Sequence, residues 1–273
     1  MDNTKATRIS RIEIDSLWGR KHIVWNLRPD VNILSGVNGT GKSTILNKTV
    51  GRLDFLAGVD DEPCSEVNIE FEPAGSSAFS YEVIRSIDRP LMHNNLLEKM
   101  SDSNVVSELD WQLYKLQRRY LDYQVNIGNR TIQYLTSGNP DMISKAAELA
   151  RPKTMFLDLI DSLFADSGKK IIRDSNDLLF DRFGLKLLPY SLSSGEKQLL
   201  VILLTALVQD SRHGVILMDE PEVSLDIDWQ QQLIQRIIEI NPNVQIIMTT
   251  HSPAVIMNGW MDMVTDVADI TVN

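Results

Sequence analysis

Alternating apolar and polar residues mark the first third of the chain as sheet. "RIEID" (Arg11 to Asp15) places an apolar side chain at every second position, as a strand with one buried face does. "VNILSG" is a short apolar run that ends in a glycine turn, and "EVNIEFE" and "FSYEVIRSI" flank the turn-forming "PAGSS". This last arrangement predicts a β-hairpin. Apolar strands return much later, at "GVILMDE" and "VQIIMTT".

From about residue 88 the pattern changes to that of helix. Side chains recur at steps of three and four and form a heptad seam of about three repeats. The seam consists of Val106, Leu109, Leu113, Leu116, Tyr120, Tyr123 and Ile127. "SGNP" ends it, and "DMISKAAELA" and "TMFLDLIDSLF" predict returning helices. The whole pattern predicts one mixed α/β domain over residues 1–273 that contains a helical insertion at about 88–180.

The seam favours internal packing of a helical hairpin over a zipper with a partner. Lys115, Arg118 and Arg119 lie beside it and leave a partner-binding or nucleic-acid-binding face open as an alternative. A solvated, charged helix face is the favoured interpretation of these three residues.

Charge and composition restrict the classes of function. The formal net charge of −10 argues against a surface that attracts nucleic acid as a whole, and leaves only a local basic groove for DNA. The single cysteine, Cys64, excludes an internal disulfide framework and fits a reducing compartment. The polar start "MDNTKATR" is not a signal peptide, and no apolar run is long enough to cross a membrane. We therefore expect a cytoplasmic protein without a membrane partner.

"GVNGTGKST" (Gly36 to Thr44) is the strongest chemical signal, because it fits the phosphate-loop pattern and lies between a predicted strand and helix. Its backbone N–H groups and the helix N-terminus would surround phosphate oxygens. Lys42 would neutralise the β- and γ-phosphates, and the Ser43 hydroxyl would ligate Mg²⁺. The predicted nucleotide contacts are Gly36, Asn38, Gly39, Thr40, Gly41, Lys42, Ser43 and Thr44.

Two later strands end in polar residues that complete such a site. Asp219 and Glu220 follow the apolar "VILM", where α/β sheets bind their ligands. Asp219 would hold Mg²⁺ through water, and Glu220 would orient or deprotonate the attacking water. His251 follows the strand "VQIIM" and would sense the γ-phosphate and contact Glu220. The other histidines show no metal-ligand spacing.

"SLSSGEKQLLVILL" places a small, turn-forming tip directly before a helix too apolar to face water. Ser193, Ser194 and Gly195 bring bare backbone and hydroxyls to a helix N-terminus, which is an anion-binding arrangement. A serine N-cap before a buried helix accounts for the serines alone.

In this order the stretches resemble the ATP-binding-cassette ATPases from Arg8 to about Ser252, the insertion excepted. "GVNGTGKST" is similar to the Walker A motif, "LSSGEKQ" to the signature, "VILMDE" to Walker B and "SLD" to the D-loop, and His251 is similar to the switch histidine. The resemblance makes Asp226 of the D-loop a further predicted nucleotide contact. The resemblance implies a P-loop NTPase fold of ABC-ATPase type, with a mixed β-sheet, flanking helices and an antiparallel β subdomain. It further implies ATP and Mg²⁺ as cofactors and a head-to-tail, ATP-dependent homodimer, in which the Ser193–Gly195 tip contacts ATP bound by the partner copy.

"LSSGEKQ" and "DEPEVSLD" are more similar to the SMC, recombination-repair and OLD-type branch than to transporters. Transporter signatures normally carry glycine where Ser194 stands and glutamine where Glu196 stands. No glutamine lies between Gly36 and Asp110, so the family's Q-loop residue is not assigned. Trp18 and Trp25 are candidates for an adenine stack and, equally, for packing.

Two alternatives to a regulatory ATPase remain: the energising subunit of a transporter, and a nucleotide-binding scaffold with little turnover. The transporter interpretation is disfavoured by Ser194, by Glu196 and by the missing glutamine. The scaffold interpretation is disfavoured by the intact Asp219, Glu220 and His251. OLD-type relatives carry a TOPRIM nuclease, whereas about twenty residues follow "TTHSP". The resemblance therefore implies a sensor or regulatory subunit with a separately encoded effector, in a bacterial anti-phage defence or DNA-maintenance module.

Overall fold

The structure is a computed structural model that describes residues 4–61, 64–76, 78–85 and 104–272. In chain order the strands are β1 (Arg8–Leu17), β2 (Lys21–Asn26), β3 (Val31–Ser35), β4 (Val67–Glu72), β5 (Tyr81–Arg85), β6 (Lys169–Ile171), β7 (Phe180–Arg182), β8 (Leu185–Leu187), β9 (Gly214–Asp219), β10 (Val244–Thr249), β11 (Val264–Asp266) and β12 (Thr271–Val272). The α-helices are α1 (Lys42–Leu56), α2 (Glu108–Thr136), α3 (Pro140–Leu163), α4 (Ser194–Val208), α5 (Ile227–Ile240) and α6 (Pro253–Met257).

The chain divides into two compact units that interleave along the sequence. The first unit consists of Met1–Ser86, Arg212–Gln235 and Asn243–Asn273. The second consists of Ile87–Ser211 and Arg236–Pro242. The predicted phosphate loop, acidic pair and His251 belong to the first unit, and the predicted signature tip belongs to the second.

Two separate sheets build the first unit. One is antiparallel, with the strand order β12-β2-β1-β4, and the other is parallel, with the order β11-β3-β10-β9-β5. Helix α1 contacts strands of both sheets. Apolar residues of this helix, including Ile45, Leu46 and Leu53, join side chains of both sheets in one hydrophobic core. The sequence thus predicts the mixed α/β class correctly.

The predicted hairpin between β4 and β5 is wrong. Strand β4 pairs antiparallel with β1, whereas β5 pairs parallel with β9 in the other sheet. Alternation of apolar residues identifies a strand but carries no information on its partner, and a turn-forming "PAGSS" serves a change of sheet as well as a hairpin.

The parallel sheet places three chain segments side by side at one edge. Strand β10 lies between β3 and β9 and pairs with both. Every residue of β10 is buried, as is β9 up to Met218, which is the pattern of parallel strands covered on both faces. The carboxyl ends of the three strands therefore bring the phosphate loop, the acidic pair and His251 to the same edge.

Helices α2, α3 and α4 pack together in the second unit. Helix α2 begins at a capping box formed by Ser107 and Asp110. Its seam residues from Leu109 to Ile127 are buried, which confirms internal packing, whereas Val106 precedes the helix and is exposed. Helix α4 is buried almost all round, as its unbroken apolar sequence predicts.

Helices α2 and α3 lie within the predicted insertion at about 88–180, while residues 88–103 lie outside the described residues. Residues 169–187, however, contain β6, β7 and β8, which form a small antiparallel sheet. The two predicted return helices are one continuous helix, because Pro152 is accommodated inside α3. Three-residue strands are too short for periodicity to reveal them.

Two of the three cations beside the seam, Lys115 and Arg118, contact aromatic rings of their own helix. Lys115 lies over the ring of Trp111, and Arg118 lies over the ring of Tyr114 and donates to its hydroxyl. These contacts fit a solvated helix face. Among the described residues, no helix is both long and apolar enough to cross a membrane.

Candidate functional site

The loop from Gly36 to Thr44 joins β3 to α1, and its shape depends on glycine. Gly36, Gly39 and Gly41 have φ angles of 148°, 82° and 111°, which disfavour residues with a side chain. A Cβ atom on Gly41 would lie 3.0 Å from side-chain atoms of both Leu17 and Trp18. The loop therefore follows a tight backbone path that a larger residue could not adopt.

Lys42 and Ser43 are the first two residues of α1, directly after this loop. The Lys42 ammonium folds back and donates to the carbonyl oxygens of Gly36 at 2.9 Å and Val37 at 3.4 Å. Lys42 is only 4% exposed, so its charge is held inside the curve of the loop. A buried cation beside a helix N-terminus is the electrostatic arrangement that binds phosphate.

Asp219 joins the end of β9 to the neighbouring elements. Its Oδ1 atom accepts hydrogen bonds from the Ser43 hydroxyl at 2.9 Å and the Thr249 hydroxyl at 2.6 Å. Hydroxyl and carboxylate oxygens are the ligand atoms that Mg²⁺ takes in proteins. The predicted pair Ser43 and Asp219 is thus brought together.

Glu220 and His251 form the other side of the site. The Nε2 atom of His251 lies 3.1 Å from Oε1 of Glu220, and both side chains are partly exposed. Glu220 has a φ of 48°, which is uncommon for a non-glycine residue and costs conformational energy. Its backbone N–H donates to the carbonyl and hydroxyl oxygens of Thr249, and these bonds hold the unusual backbone in place.

One cavity of about 570 Å³ joins these groups. It is lined by Trp18, Asn38, Gly39, Gly41, Lys42, Ser43, Thr44, Glu220 and His251. The structure therefore brings together most of the predicted nucleotide contacts and both predicted catalytic residues.

The two tryptophan candidates separate clearly. Trp18 lines the cavity and is 52% exposed, so its ring is available for stacking with a base. Trp25 is buried in the hydrophobic core of the first unit, where it packs.

Two glutamines of the insertion make contacts within the second unit. Gln117 donates to the Tyr190 hydroxyl, and Gln124 donates to the carbonyl of Asn176.

Within the first unit, three predicted nucleotide contacts do not line the cavity: Gly36, Thr40 and Asp226. Gly36 and Thr40 shape the loop, since the Thr40 hydroxyl donates to the Val37 carbonyl at 2.8 Å. Asp226 is exposed, and its carboxylate accepts from the N–H of Trp229 at the start of α5. Its predicted role toward nucleotide stays a prediction.

The predicted signature tip forms the N-terminus of α4 in the second unit. Ser193 is the N-cap, and its hydroxyl accepts from the Glu196 N–H while Glu196 accepts from the Ser193 N–H. Ser193 and Ser194 are exposed, and Gly195 is half-buried. The serine cap and an exposed anion-binding tip are therefore compatible, because capping uses the Ser193 hydroxyl as an acceptor and leaves its proton available.

Glu196 carries a buried ion pair behind the tip. Its carboxylate accepts from the Lys169 ammonium at 2.7 and 2.9 Å and from the Ser167 hydroxyl at 2.7 Å. Burial alone would raise the pKa of Glu196, but the hydrogen bonds from Lys169, Ser193 and Ser167 outweigh it and lower the pKa. The glutamate at the position of the transporter glutamine thus anchors the tip to β6.

Replacing Lys169 with methionine is expected to destabilise the chain by roughly 3 kcal/mol at pH 7, because a buried carboxylate loses its partner. In the wild type the pKa of Glu196 is lower in the folded than in the unfolded chain, where it is about 4.3. The ionised carboxylate therefore stabilises the fold fully at pH values above about 4.3. This stabilisation is lost as the pH falls through the pKa of the folded chain. The difference in free energy of unfolding between Lys169→Met and the wild type should therefore become smaller as the pH is lowered. Urea unfolding at several pH values measures it.

The exposed Arg173, which pairs with Asp158 and Asp161, supplies the control for this prediction. Arg173→Ala should cost less than about 1 kcal/mol at pH 7. A pH-independent loss in Lys169→Met would show that packing of the lysine chain, and not its charge, anchors the tip.

Three residues around the site were not predicted from the sequence. Thr249 contacts Asp219 and Glu220, Glu222 contacts the loop that carries His251, and Gln230 contacts the same loop from α5. Thr249 and Glu222 could have been found from the sequence, because each is a polar residue two positions from a predicted catalytic residue, in "TTHS" and "DEPE". Gln230 lies ten positions beyond Glu220 and offered no such signal.

The fold and site can now be compared with known proteins. Residues 76–258, more than half of the chain, match the family described as "AAA domain, putative AbiEii toxin, Type IV TA system". The chain belongs to this family. Its fold is that of a P-loop NTPase of ABC type.

Two curated bacterial proteins are similar in sequence. "Retron Vc95 probable ATPase" of Vibrio cholerae serotype O1 biovar El Tor is 30% identical over an alignment of 172 positions, which covers 58% of this chain and 32% of that protein. "Septu protein PtuA" of Bacillus thuringiensis is 25% identical over a gapped alignment of 297 positions, which covers 90% of this chain and 72% of that protein. The chain thus spans about a third of the length of the retron protein.

A solved SMC head, bound to the C-winged helix domain of ScpA, is similar in fold. The TM-score is 0.51 at 16% sequence identity, and the match covers 92% of this chain and 91% of that one. At this identity the similarity supports the fold alone.

Proposed function

We propose that the chain binds ATP with Mg²⁺ in the cavity at the carboxyl edge of the parallel sheet and hydrolyses it there. The observation that carries this proposal is the convergence of Lys42, Ser43, Glu220 and His251 on one cavity. The loop backbone and Lys42 hold the β- and γ-phosphates, and Trp18 stacks on the adenine.

The oxygens of Ser43 and Asp219 fit a magnesium ion, because both are hard donors and they already lie 2.9 Å apart. Ser43 ligates the ion directly, and Asp219 holds it through water. When bound, Mg²⁺ neutralises charge on the phosphates and orients them.

Glu220 is the proposed general base. It accepts a proton from water while the water oxygen bonds to the γ-phosphorus, and the bond from that phosphorus to the bridging oxygen breaks to release ADP. His251 stabilises the γ-phosphate charge from beside Glu220, since its Nε2 atom lies 3.1 Å from Oε1 of Glu220.

We further propose that two copies close head-to-tail around two ATP molecules, so that the Ser193–Gly195 tip of one copy contacts the γ-phosphate held by the other. The exposure of Ser193 and Ser194 at the start of a 15-residue helix supports this role. An N-terminus with exposed hydroxyls attracts an anion.

Mass measurement by light scattering tests the dimer. Mg²⁺ and ATP should double the mass from 30.9 kDa, whereas ADP should not, because only the γ-phosphate attracts the tip. Lys42→Ala should remain monomeric. Full Mg²⁺-dependent hydrolysis by a chain that stays at 30.9 kDa under all conditions would refute the shared site.

We propose finally that this dimer acts as the sensor or regulatory subunit of a bacterial anti-phage defence or DNA-maintenance module, together with a separately encoded effector. Similarity to a retron ATPase and to Septu protein PtuA supports this proposal. Co-purification of the chain with the products of its neighbouring genes, followed by mass measurement of the complex, tests for the effector. A chain that always purifies without them would count against it.

A further inference from the structure

Glu222 makes a set of contacts that the ATPase site does not yet account for. This residue is 6% exposed and lies two positions after Glu220. Its Oε1 atom accepts hydrogen bonds from the Thr250 hydroxyl, from the His251 N–H at 3.0 Å and from the Ser252 N–H at 3.3 Å. Three donors from three consecutive residues thus meet at one carboxylate oxygen.

These contacts fix the backbone that carries His251. The His251 side chain is 37% exposed, and its Nε2 atom lies 3.1 Å from Glu220, so packing of the ring contributes little to its position. The two N–H groups bound by Glu222 belong to His251 itself and to the next residue, Ser252. The loop between β10 and α6 is therefore held by Glu222 at the point where the histidine leaves the backbone.

Gln230 of α5 ties the same two segments together a second time. Its Nε2 atom donates to the Leu225 carbonyl at 2.7 Å and to the Glu222 carbonyl at 3.4 Å, while its Oε1 atom accepts from the Ser252 hydroxyl at 2.5 Å. The segment that carries Glu220 and the loop that carries His251 are thereby joined by side chains of two elements.

We infer that Glu222 is a positioning residue for ATP hydrolysis: it holds His251 at the correct distance from Glu220 and the γ-phosphate. The inference rests on the proposed roles of Glu220 and His251. Displacement of a catalytic group by about 1 Å can lower the rate by roughly 100-fold, so a buried carboxylate that fixes one loop can control turnover without touching ATP.

Two substitutions separate positioning from charge. Glu222→Ala removes the acceptor, and we expect kcat to fall about 10- to 100-fold while the Kd for ATP stays within about threefold. Glu222→Gln retains an amide oxygen that accepts the same donors, so it should recover most of kcat. Phosphate release measures kcat, and titration with a fluorescent ATP analogue measures Kd.

A double-mutant cycle shows whether Glu222 acts through the histidine. In a His251→Ala background, Glu222→Ala should lower kcat by no more than about twofold further, because the group it positions is already missing. If Glu222→Ala lowers kcat by the same factor in the wild-type and His251→Ala backgrounds, the inference is overturned.

Gln245 supplies a structural control on β10, the strand that leads into the loop carrying His251. Its buried side chain accepts from the Ile9 N–H and donates to the carbonyls of Ile9 and Arg28, far along β10 from Thr249. Gln245→Ala should lower the melting temperature but leave kcat per folded molecule unchanged. If Glu222→Ala behaves in the same way, its role is structural and the inference is wrong.

If Glu222→Ala does not fold, Thr250→Val removes one of the three donors with little change in shape. It should lower kcat severalfold, and a wild-type kcat would contradict positioning through this oxygen. Glu220→Gln distinguishes failure of the proposed ATPase site from failure of the present inference. If that variant hydrolyses ATP at the wild-type rate, Glu220 is not the base. If it is inactive while Glu222→Ala is normal, only the present inference fails.

Discussion

Replacing Glu220 with glutamine is expected to leave ATP binding intact and to slow hydrolysis by roughly 10²- to 10⁴-fold, the range for loss of a general base. The amide keeps the size of the side chain and can still bond to His251, but it cannot accept a proton from water. The phosphate loop is untouched, so affinity should persist. Single-turnover hydrolysis and equilibrium ATP binding, measured on the same preparation, check both parts.

Lys42→Ala provides the contrasting result. Removing the ammonium should weaken ATP binding itself by about 10- to 100-fold, because a hydrogen bond to a charged group contributes about 1.5–3 kcal/mol. Glu70→Gln, at an exposed position of β4, is a control that should change neither quantity. Turnover of Glu220→Gln within a few-fold of wild type would remove Glu220 from the role of base.

Ser193→Arg is expected to abolish ATP-dependent dimer closure and hydrolysis while the same chain still binds ATP. The long side chain would occupy the space where phosphate and a second backbone must approach. Its positive charge attracts ATP, so closure is a better readout than affinity. Dimer mass and phosphate release should therefore both fall, and nucleotide titration should not.

Mixing the Ser193→Arg and Lys42→Ala chains gives the sharper experiment. In a head-to-tail dimer each mixed pair contains one site with both defects and one with neither. Subunit exchange should then restore up to half of the wild-type activity in mixed pairs, although each parent is inactive. A mixture that stays inactive after confirmed exchange means that both sites must act together or that the tip serves its own chain.

The sequence predicted the cavity well because its chemistry is local. A phosphate loop needs its glycines, lysine and serine within nine residues, and the structure places that segment between β3 and α1 as expected. Asp219, Glu220 and His251 follow buried strands, and parallel strands with adjacent carboxyl ends bring them together. No such rule leads to Gln230, whose contacts depend on how α5 packs beside the strands.

Predictions failed where a strand's partner is distant in the sequence. Strands β4 and β5 are separated by a short turn, yet they join different sheets, and the partner of β5 is β9, about 130 residues later. Likewise, Glu196 is predictable as an N3 capping residue, but its partner Lys169 lies on a three-residue strand. Spacing along the chain reveals neither pairing.

The strand order also determines when an active enzyme can exist during synthesis. β10 lies between β3 and β9, although the ribosome makes it after both. A nascent chain that has emerged only as far as Glu220 carries the phosphate loop and the acidic pair, but lacks β10, which lies between β3 and β9, and the Thr249 hydroxyl that bonds to Asp219. Non-local pairing of this kind forms late in folding. Under the proposed function, turnover of ATP must therefore await translation of the segment that carries Thr249 and His251.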